Sequence, residues 1–170
     1  TIKRGSYVID VRHDVENAGN TAVEPQLYVQ MVRDNYEAES STPFYQTFTG
    51  PAFYTEEAKY EKVSFDDIAD GKADFAINTK TGYVAMVQHY FASAWLLADG
   101  QARNNFARKL KGNLYSAGSV ADLDAVPSGS KSSVSARLFL GPQQETLLES
   151  LPPGLDLVKD YGWVTILAKP

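Results

Sequence analysis

The 170-residue sequence has no cysteine. Disulfides, thiolate metal sites and cysteine nucleophiles are therefore excluded. The compartment stays open, because a chain of this length builds a core that needs no covalent staple. Histidine is scarce as well, with only His13 and His89, and their separation matches no metal-ligand spacing. No stretch approaches the roughly 18 apolar residues of a membrane span, and no signal-peptide pattern is visible. Positive charge is in deficit: 16 Lys and Arg against 21 Asp and Glu give a formal net charge of -5. Phosphate recognition needs clustered Lys and Arg, so no nucleic-acid partner is expected. The polybasic stretch that would hold a chain to an anionic membrane is also missing. Ser128-Gly129-Ser130 lacks phosphate-loop spacing, and no serine sits in a nucleophile elbow. Nothing here calls for a cofactor. The chain opens on Thr1 rather than Met and reads as an excised or processed piece of something longer.

What the sequence has in quantity is alternation. Hydrophobic residues at 44% and charged residues at 22% are ordinary for an ordered globular domain. From Tyr7 to Val15 the odd positions are Tyr7, Ile9, Val11, His13 and Val15, and the even positions are Val8, Asp10, Arg12 and Asp14. That is a half-buried strand. Asn17-Ala18-Gly19-Asn20 turns the chain, and Leu27–Val32 reads as the next strand of a hairpin or meander. Glu37–Pro43 reads as an exposed loop. Further strands are expected at Gln46–Thr55, Lys59–Val63, Lys72–Thr79, Phe106–Leu110, Leu114–Gly118 and Ser133–Leu140. The last places Val134, Ala136, Leu138 and Leu140 on one face. Tyr83–Leu97 is the most apolar stretch and predicts one or two central strands covered on both faces. Ser64-Phe65-Asp66-Asp67 resembles a capping box, with Gly71 placed to stop a short helix. Gly141-Pro142 is expected to open a second helix with Leu147, Leu148 and Leu151 as its apolar face and Pro152-Pro153-Gly154 as its end. The sum is mainly antiparallel β, with helix near the C-terminus.

The chemistry-bearing residues have plain readings. His13 and His89 both sit among apolar neighbours and are expected to be packed histidines with hydrogen-bond partners. Asp66 and Asp67 favour the helix dipole, while Glu56, Glu57 and Glu61 stand among Lys59 and Lys62 as a solvated face. Ten Tyr, eight Phe and two Trp are a generous aromatic content. Most belong in the core; Tyr83, Tyr90, Phe91 and Trp95 are candidates for contact with a partner or an extended apolar peptide.

Several motifs, in order along the chain, resemble the large periplasmic domain of the YidC-type membrane protein insertases. They are Ile2-Lys3-Arg4-Gly5 with Tyr7, then Val15-Glu16-Asn17-Ala18-Gly19, then Phe48-Thr49-Gly50 with Ala52 and Tyr54. Lys59-Tyr60-Glu61-Lys62 follows, with Phe65 and Ile68-Ala69-Asp70. The most specific piece is Gly82-Tyr83-Val84-Ala85-Met86, with Gln88, Tyr90-Phe91 and Ala94-Trp95. Leu140-Gly141-Pro142, Leu155-Asp156-Leu157 and Asp160-Tyr161-Gly162-Trp163 close the match. The resemblance implies an antiparallel β-supersandwich similar to galactose mutarotase, here the C-terminal portion, without the strands that precede it in the family. It implies residues 1–141 as later strands of the sandwich and 142–170 as a helical segment leading to the second membrane span. In that segment Leu147, Leu148, Leu151, Tyr161 and Trp163 would be the docking and tether residues. It implies a non-enzymatic role without cofactor, at the periplasmic face of the Gram-negative inner membrane. Nascent membrane proteins would be clients of the full-length protein, and the Sec accessory subunit would touch the region Gln46 to Leu96. The family's membrane-embedded substrate groove lies outside this chain. A sandwich lacking strands exposes edges, so self-association is expected. Two other readings stay open: a sugar-binding or mutarotase-like module, and a chaperone-like groove for extended apolar peptide.

Overall fold

The computed structural model describes residues 1–36, 48–151 and 154–158. In chain order the strands among them are β1 (Val8–Glu16), β2 (Gln26–Asp34), β3 (Gly50–Thr55), β4 (Lys59–Lys62), β5 (Asn78–Thr79), β6 (Tyr83–Gln88), β7 (Phe91–Leu96), β8 (Arg103–Lys109), β9 (Leu114–Asp122) and β10 (Lys131–Pro142). They form two sheets, a six-stranded one in the order β1-β10-β7-β6-β3-β4 and a four-stranded one in the order β2-β9-β8-β5. Every pairing is antiparallel. Helix is confined to α1 (Phe65–Asp70), α2 (Glu145–Leu148) and a short 3-10 turn at Leu155–Val158.

The hydrophobic pattern explains the layering. β6 reads Tyr-Val-Ala-Met-Val, and all five of these residues are buried, so the strand is covered on both faces. Its Val84 and Met86 face the smaller sheet, where they pack with Phe53, Val63, Tyr115 and Ala117, and with Phe65 and Ile68 of α1. Its Tyr83, Ala85 and Val87 face the other way. There they join Ala92, Ala94, Leu96 and Phe139 under a third layer made by Leu148, Leu155 and Val158. Burying each large side chain of this kind stabilises by about 1.5–3 kcal/mol. A third cluster, Leu27, Val29, Leu97, Ala121 and Ala136, closes the sandwich toward β2. Trp95 bridges the sheets: its indole N–H donates to the Gln30 carbonyl of β2 at 3.1 Å.

Local signals read from the sequence hold at α1. Ser64 caps its N-terminus by accepting from the Asp67 amide, and Gly71 ends it at φ 69° in the left-handed region. Tyr83–Leu97 becomes the hairpin β6–β7, with the turn at His89-Tyr90.

Other expectations are corrected. β1 and β2 are not a hairpin: β1 pairs with β10 and β2 with β9, in different sheets. The turn after β1 is a crossover, pinned where buried Asn17 donates from Nδ2 to the Thr21 and Val126 carbonyls. Lys72–Thr79 is a strand only at Asn78–Thr79. The rest runs irregularly, because Phe75 is drawn inward to stack on Phe53 at 4.3 Å and the Ala76 amide donates to Glu61. Gly141-Pro142 does not open a helix; both residues extend β10, opposite Ala92 and Phe91. A proline fits the end of a strand as readily as the start of a helix. α2 begins three residues later and has only four residues. Glu37–Pro43, Pro152 and Pro153 lie outside the described residues.

Candidate functional site

The six-stranded sheet is wider than its partner, and at one end the two sheets part. The resulting groove, about 550 Å³, is floored by Phe91, Ser93, Leu140 and Met86, with Met31 and Val32 of β2 and Tyr7 as its walls. Its lip is unusually apolar for a surface: Phe91, Leu140, Val32 and Tyr7 are each exposed, with Tyr90 beside them on the hairpin turn. Arg33 is its principal cation. The guanidinium donates to the Tyr36 carbonyl at 2.7 Å and to Gln88 Oε1 at 3.3 Å, and so ties β2 to the β6–β7 hairpin.

On the opposite face lies the third layer. Gln143 starts it, donating from its amide to the Tyr90 carbonyl at 2.9 Å and from Nε2 to the Gln88 carbonyl at 2.8 Å. Leu148 is fully buried there, and Leu147 and Leu151 pack against the same cluster. Further along, the Tyr83 hydroxyl donates to the Gly154 carbonyl at 2.6 Å. Gly154 turns at φ +85°, and a Cβ there would lie 2.4 Å from the Tyr54 ring. That ring stacks on Tyr83 at 5.4 Å. Burial raises the Tyr83 pKa well above its ordinary value of 10.0, and Tyr60, Asp156 and Tyr54 push the same way. The hydroxyl therefore stays a donor throughout the physiological range.

Three buried polar residues carry structure that periodicity does not reveal. Arg103 is almost wholly enclosed and donates to the Ala98 and Gly82 carbonyls, each at 3.0 Å. Burial lowers its pKa and Asp99 pulls the other way. Asn105 joins β8 to the irregular segment before β5, donating to the Ala76 carbonyl and accepting from Ser119. Asn17 holds the crossover. Only Asn17, in its turn cluster, had a sequence signal; the other two look like ordinary polar positions on alternating strands.

The four candidate aromatics do not converge. Phe91 and Trp95 share the inward face of β7, but Tyr83 points to the opposite face of the sheet, under the C-terminal layer. Tyr90 is exposed on the turn. The groove residues that sequence reading did not single out are Tyr7, Met31, Val32 and Leu140. Leu140 was visible as part of an apolar face, but not as its uncovered end. Tyr161 and Trp163 lie outside the described residues. Of the two histidines, His13 differs from expectation. His13 is exposed, on β1 at the edge of the six-stranded sheet. His89 is half-buried in the hairpin turn, edge-on to Tyr90 at 4.0 Å. His13 pairs with Val134, eight residues along β10 from Pro142, which pairs with Phe91 beside His89. At about 3.3 Å per residue that puts more than about 26 Å between the two histidines, which share no cleft. Among the described residues no group of three or more His, Asp or Glu could hold a metal ion, and no helix is long and apolar enough to cross a membrane.

Two antiparallel sheets, an apolar groove where they part and a helical layer on the outer face define a β-sandwich domain. The chain belongs to a particular family of them: the model of the YidC periplasmic domain matches residues 1–170, the whole sequence. It is 52% identical to the membrane protein insertase YidC of Cupriavidus metallidurans over 170 residues, covering 100% of this chain and 30% of that protein. The proteins of the same name from Burkholderia mallei and Janthinobacterium are 48% and 46% identical over the same 170 residues, again with 30% of each relative covered. The chain thus spans about three tenths of the length of these relatives.

Proposed function

We propose that this domain serves, without catalysis, a membrane protein insertase that assists insertion and folding of inner-membrane proteins, alone or with the Sec translocon. What supports this most is the match of the periplasmic-domain family along the whole chain, to relatives named as insertases. The groove is the domain's contact face for the Sec accessory subunit. Its lip residue Phe91 lies within the region Gln46 to Leu96 that family resemblance marks for that contact, and an exposed apolar lip beside a guanidinium is the composition of a partner surface. Residues 142–170 carry the chain from the sandwich to the second membrane span.

The test is a full-length insertase with Phe91→Asp and Leu140→Asp, probed by cross-linking to the Sec subunit. Loss of the cross-link with unchanged thermal stability supports the assignment; an unchanged cross-link sinks it. The groove's apolar lining favours one other reading, capture of an extended apolar client segment. A photoreactive residue in place of Phe91 separates the two by the mass of what it captures. Among the described residues β2, and β1 beyond its bridge from Ile9 to Ile2, end their sheets, and through these edges the isolated domain would self-associate. Sedimentation that stays monomeric across a wide concentration range would dispose of that idea.

A further inference from the structure

We infer that the tip of the β8–β9 hairpin is a docking site for an anionic bilayer surface. From Gln101 to Ala121 the chain carries no acidic residue, although 21 of its 170 residues are Asp or Glu. The same stretch brings Arg108, Lys109 and Lys111 together at the turn between the two strands. Several cations elsewhere are matched: Lys3 to Asp10, Arg12 to Asp14, Lys72 to Asp70 and Lys131 to Glu16. No carboxylate among the described residues pairs with the three at the turn. Asp34, opposite Leu114 in the register of β2 on β9, is paired instead to Arg33 at 3.7 Å. Asp67 and Asp70 of the neighbouring helix α1 are engaged by Ser64 and Lys72.

The fold holds these charges in the open rather than neutralising them. Every residue from Arg108 to Leu114 is exposed. The turn closes where the Leu110 amide donates to the Leu114 carbonyl at 2.8 Å, and Gly112 supplies its left-handed residue at φ 69°. Successive residues of β8 point to opposite faces, and each face has a ring beneath its cation. The Arg108 guanidinium lies 4.5 Å from the centroid of Phe106, and the Lys109 ammonium 5.9 Å from that of Tyr115. A ring orients a cation without cancelling its charge. Leu110 and Leu114 flank the turn, each 41% exposed. Cations beside exposed leucines suit headgroup phosphates and the acyl boundary together. An acidic protein surface would match the charges but not the leucines. Each cation near an anionic leaflet strengthens binding about fivefold, so three give about a hundredfold. That is less than a free segment of about four to eight cations achieves. The hairpin therefore orients a domain that is already tethered, where effective concentrations reach the millimolar range. The contact needs a bilayer within reach, which the reading of the chain as part of an insertase provides.

The test is amide exchange in the full-length insertase, held in nanodiscs of phosphatidylcholine alone or of an equal mixture with phosphatidylglycerol. The amides of Lys111, Gly112 and Asn113 should exchange about fivefold more slowly in the anionic discs. Raising the salt should remove the difference. Lys109→Glu combined with Lys111→Glu, both at exposed positions, should abolish it at unchanged melting temperature, and Leu110→Gln should reduce it. Equal exchange in the two lipids overturns the docking, and so does slowing that persists at high salt and in the double variant. Slowing that appears only when a partner protein is added gives the tip to that protein and overturns the docking as well. Client insertion by the wild-type protein in the same discs tests the insertase reading separately. Insertion without lipid-dependent slowing sinks the docking alone; slowing without insertion sinks that reading and leaves the docking standing.

Discussion

Replacing Arg103 by Met isolates what a buried guanidinium contributes to this fold. The side chain is 1% exposed and bridges two carbonyls, Ala98 and Gly82, at 3.0 Å each. Hydrogen bonds from a charged donor are worth about 1.5–3 kcal/mol apiece, or about 3–6 kcal/mol for the two. Methionine recovers part of that, because it ends the cost of keeping a charge away from water. A net loss of about 2–3 kcal/mol is expected, which for a domain of this size lowers the melting temperature by about 4–12 °C. The neighbouring ion pair contributes little. Asp99 stands 3.8 Å from the guanidinium and is 66% exposed, so its charge is worth at most about 1 kcal/mol. Asp99→Asn keeps the oxygen that accepts from the Gly82 amide and should cost well under half of Arg103→Met. Urea titration of both variants decides the matter, with m-values unchanged if the native and denatured states keep their extent. Equal losses would mean that the ion pair matters and the carbonyl bridge does not. A neutral Arg103→Met would mean that desolvation cancels the bridge entirely.

Other perturbations follow from the same contacts. Tyr83 has its folded pKa raised above the unfolded value of 10.0. Its contribution is therefore complete below pH 10.0 and fades above it, as the unfolded chain releases a proton the fold retains, at up to about 1.4 kcal/mol per pH unit. Urea titrations at increasing alkaline pH should show that decline, and Tyr83→Phe should flatten it. Phe53→Ala empties a fully buried position stacked on Phe75 and should cost about 3–5 kcal/mol by urea titration. Trp95→Phe removes the indole N–H from the Gln30 carbonyl; a loss of about 0.5–1.5 kcal/mol is expected, and faster amide exchange along β2 would locate it. Gly82→Ala should fail to fold or lose the β3–β6 register, visible in the amide spectrum, because its Cβ overlaps the Tyr54 carbonyl.

Strands were legible wherever one face meets a core. Val134, Ala136 and Leu138 alternate because β10 lies over β2 and beside Trp95, and Ser64 and Gly71 announce α1 through groups that act within six residues. Pairing was not legible. Asn17-Ala18-Gly19-Asn20 has the chemistry of a hairpin turn and makes a crossover, because where β1 goes is decided by β10, more than a hundred residues on. His13 failed for a related reason. It obeys the alternation of an inward-facing position, but periodicity gives only the face and cannot show that its strand stands at the edge of its sheet. The groove fell in the same blind spot: Leu140 continues an apolar face past the point where the smaller sheet covers it. The third layer's apolar residues Leu147, Leu148 and Leu151 were readable, yet the hydrogen bond from Tyr83 to Gly154 was not, since a glycine before Leu155 looks like any helix stop.

The energetics of the outer layer decide how the domain can move. Lifting the third layer would expose Leu148, Leu155 and Val158, each less than 2% exposed when docked. At about 1.5–3 kcal/mol per side chain that costs about 5–9 kcal/mol, before counting Phe139 and the alanines it uncovers. Extended-chain references make this an upper estimate, but it is still comparable with the whole stability of an ordinary domain, about 5–15 kcal/mol. Detachment is then close to unfolding. The hairpin beneath is no hinge either, because β6 and β7 are packed against the third layer on one face and against the smaller sheet on the other. The described parts of the outer layer, Leu147, Leu148, Leu151, Leu155 and Val158, are packed into the same body as the sandwich. A contact made at the groove therefore reaches Gln143 without an intervening joint: Gln88 accepts from Arg33 at the groove through its side chain and from Gln143 through its carbonyl, at a single strand end.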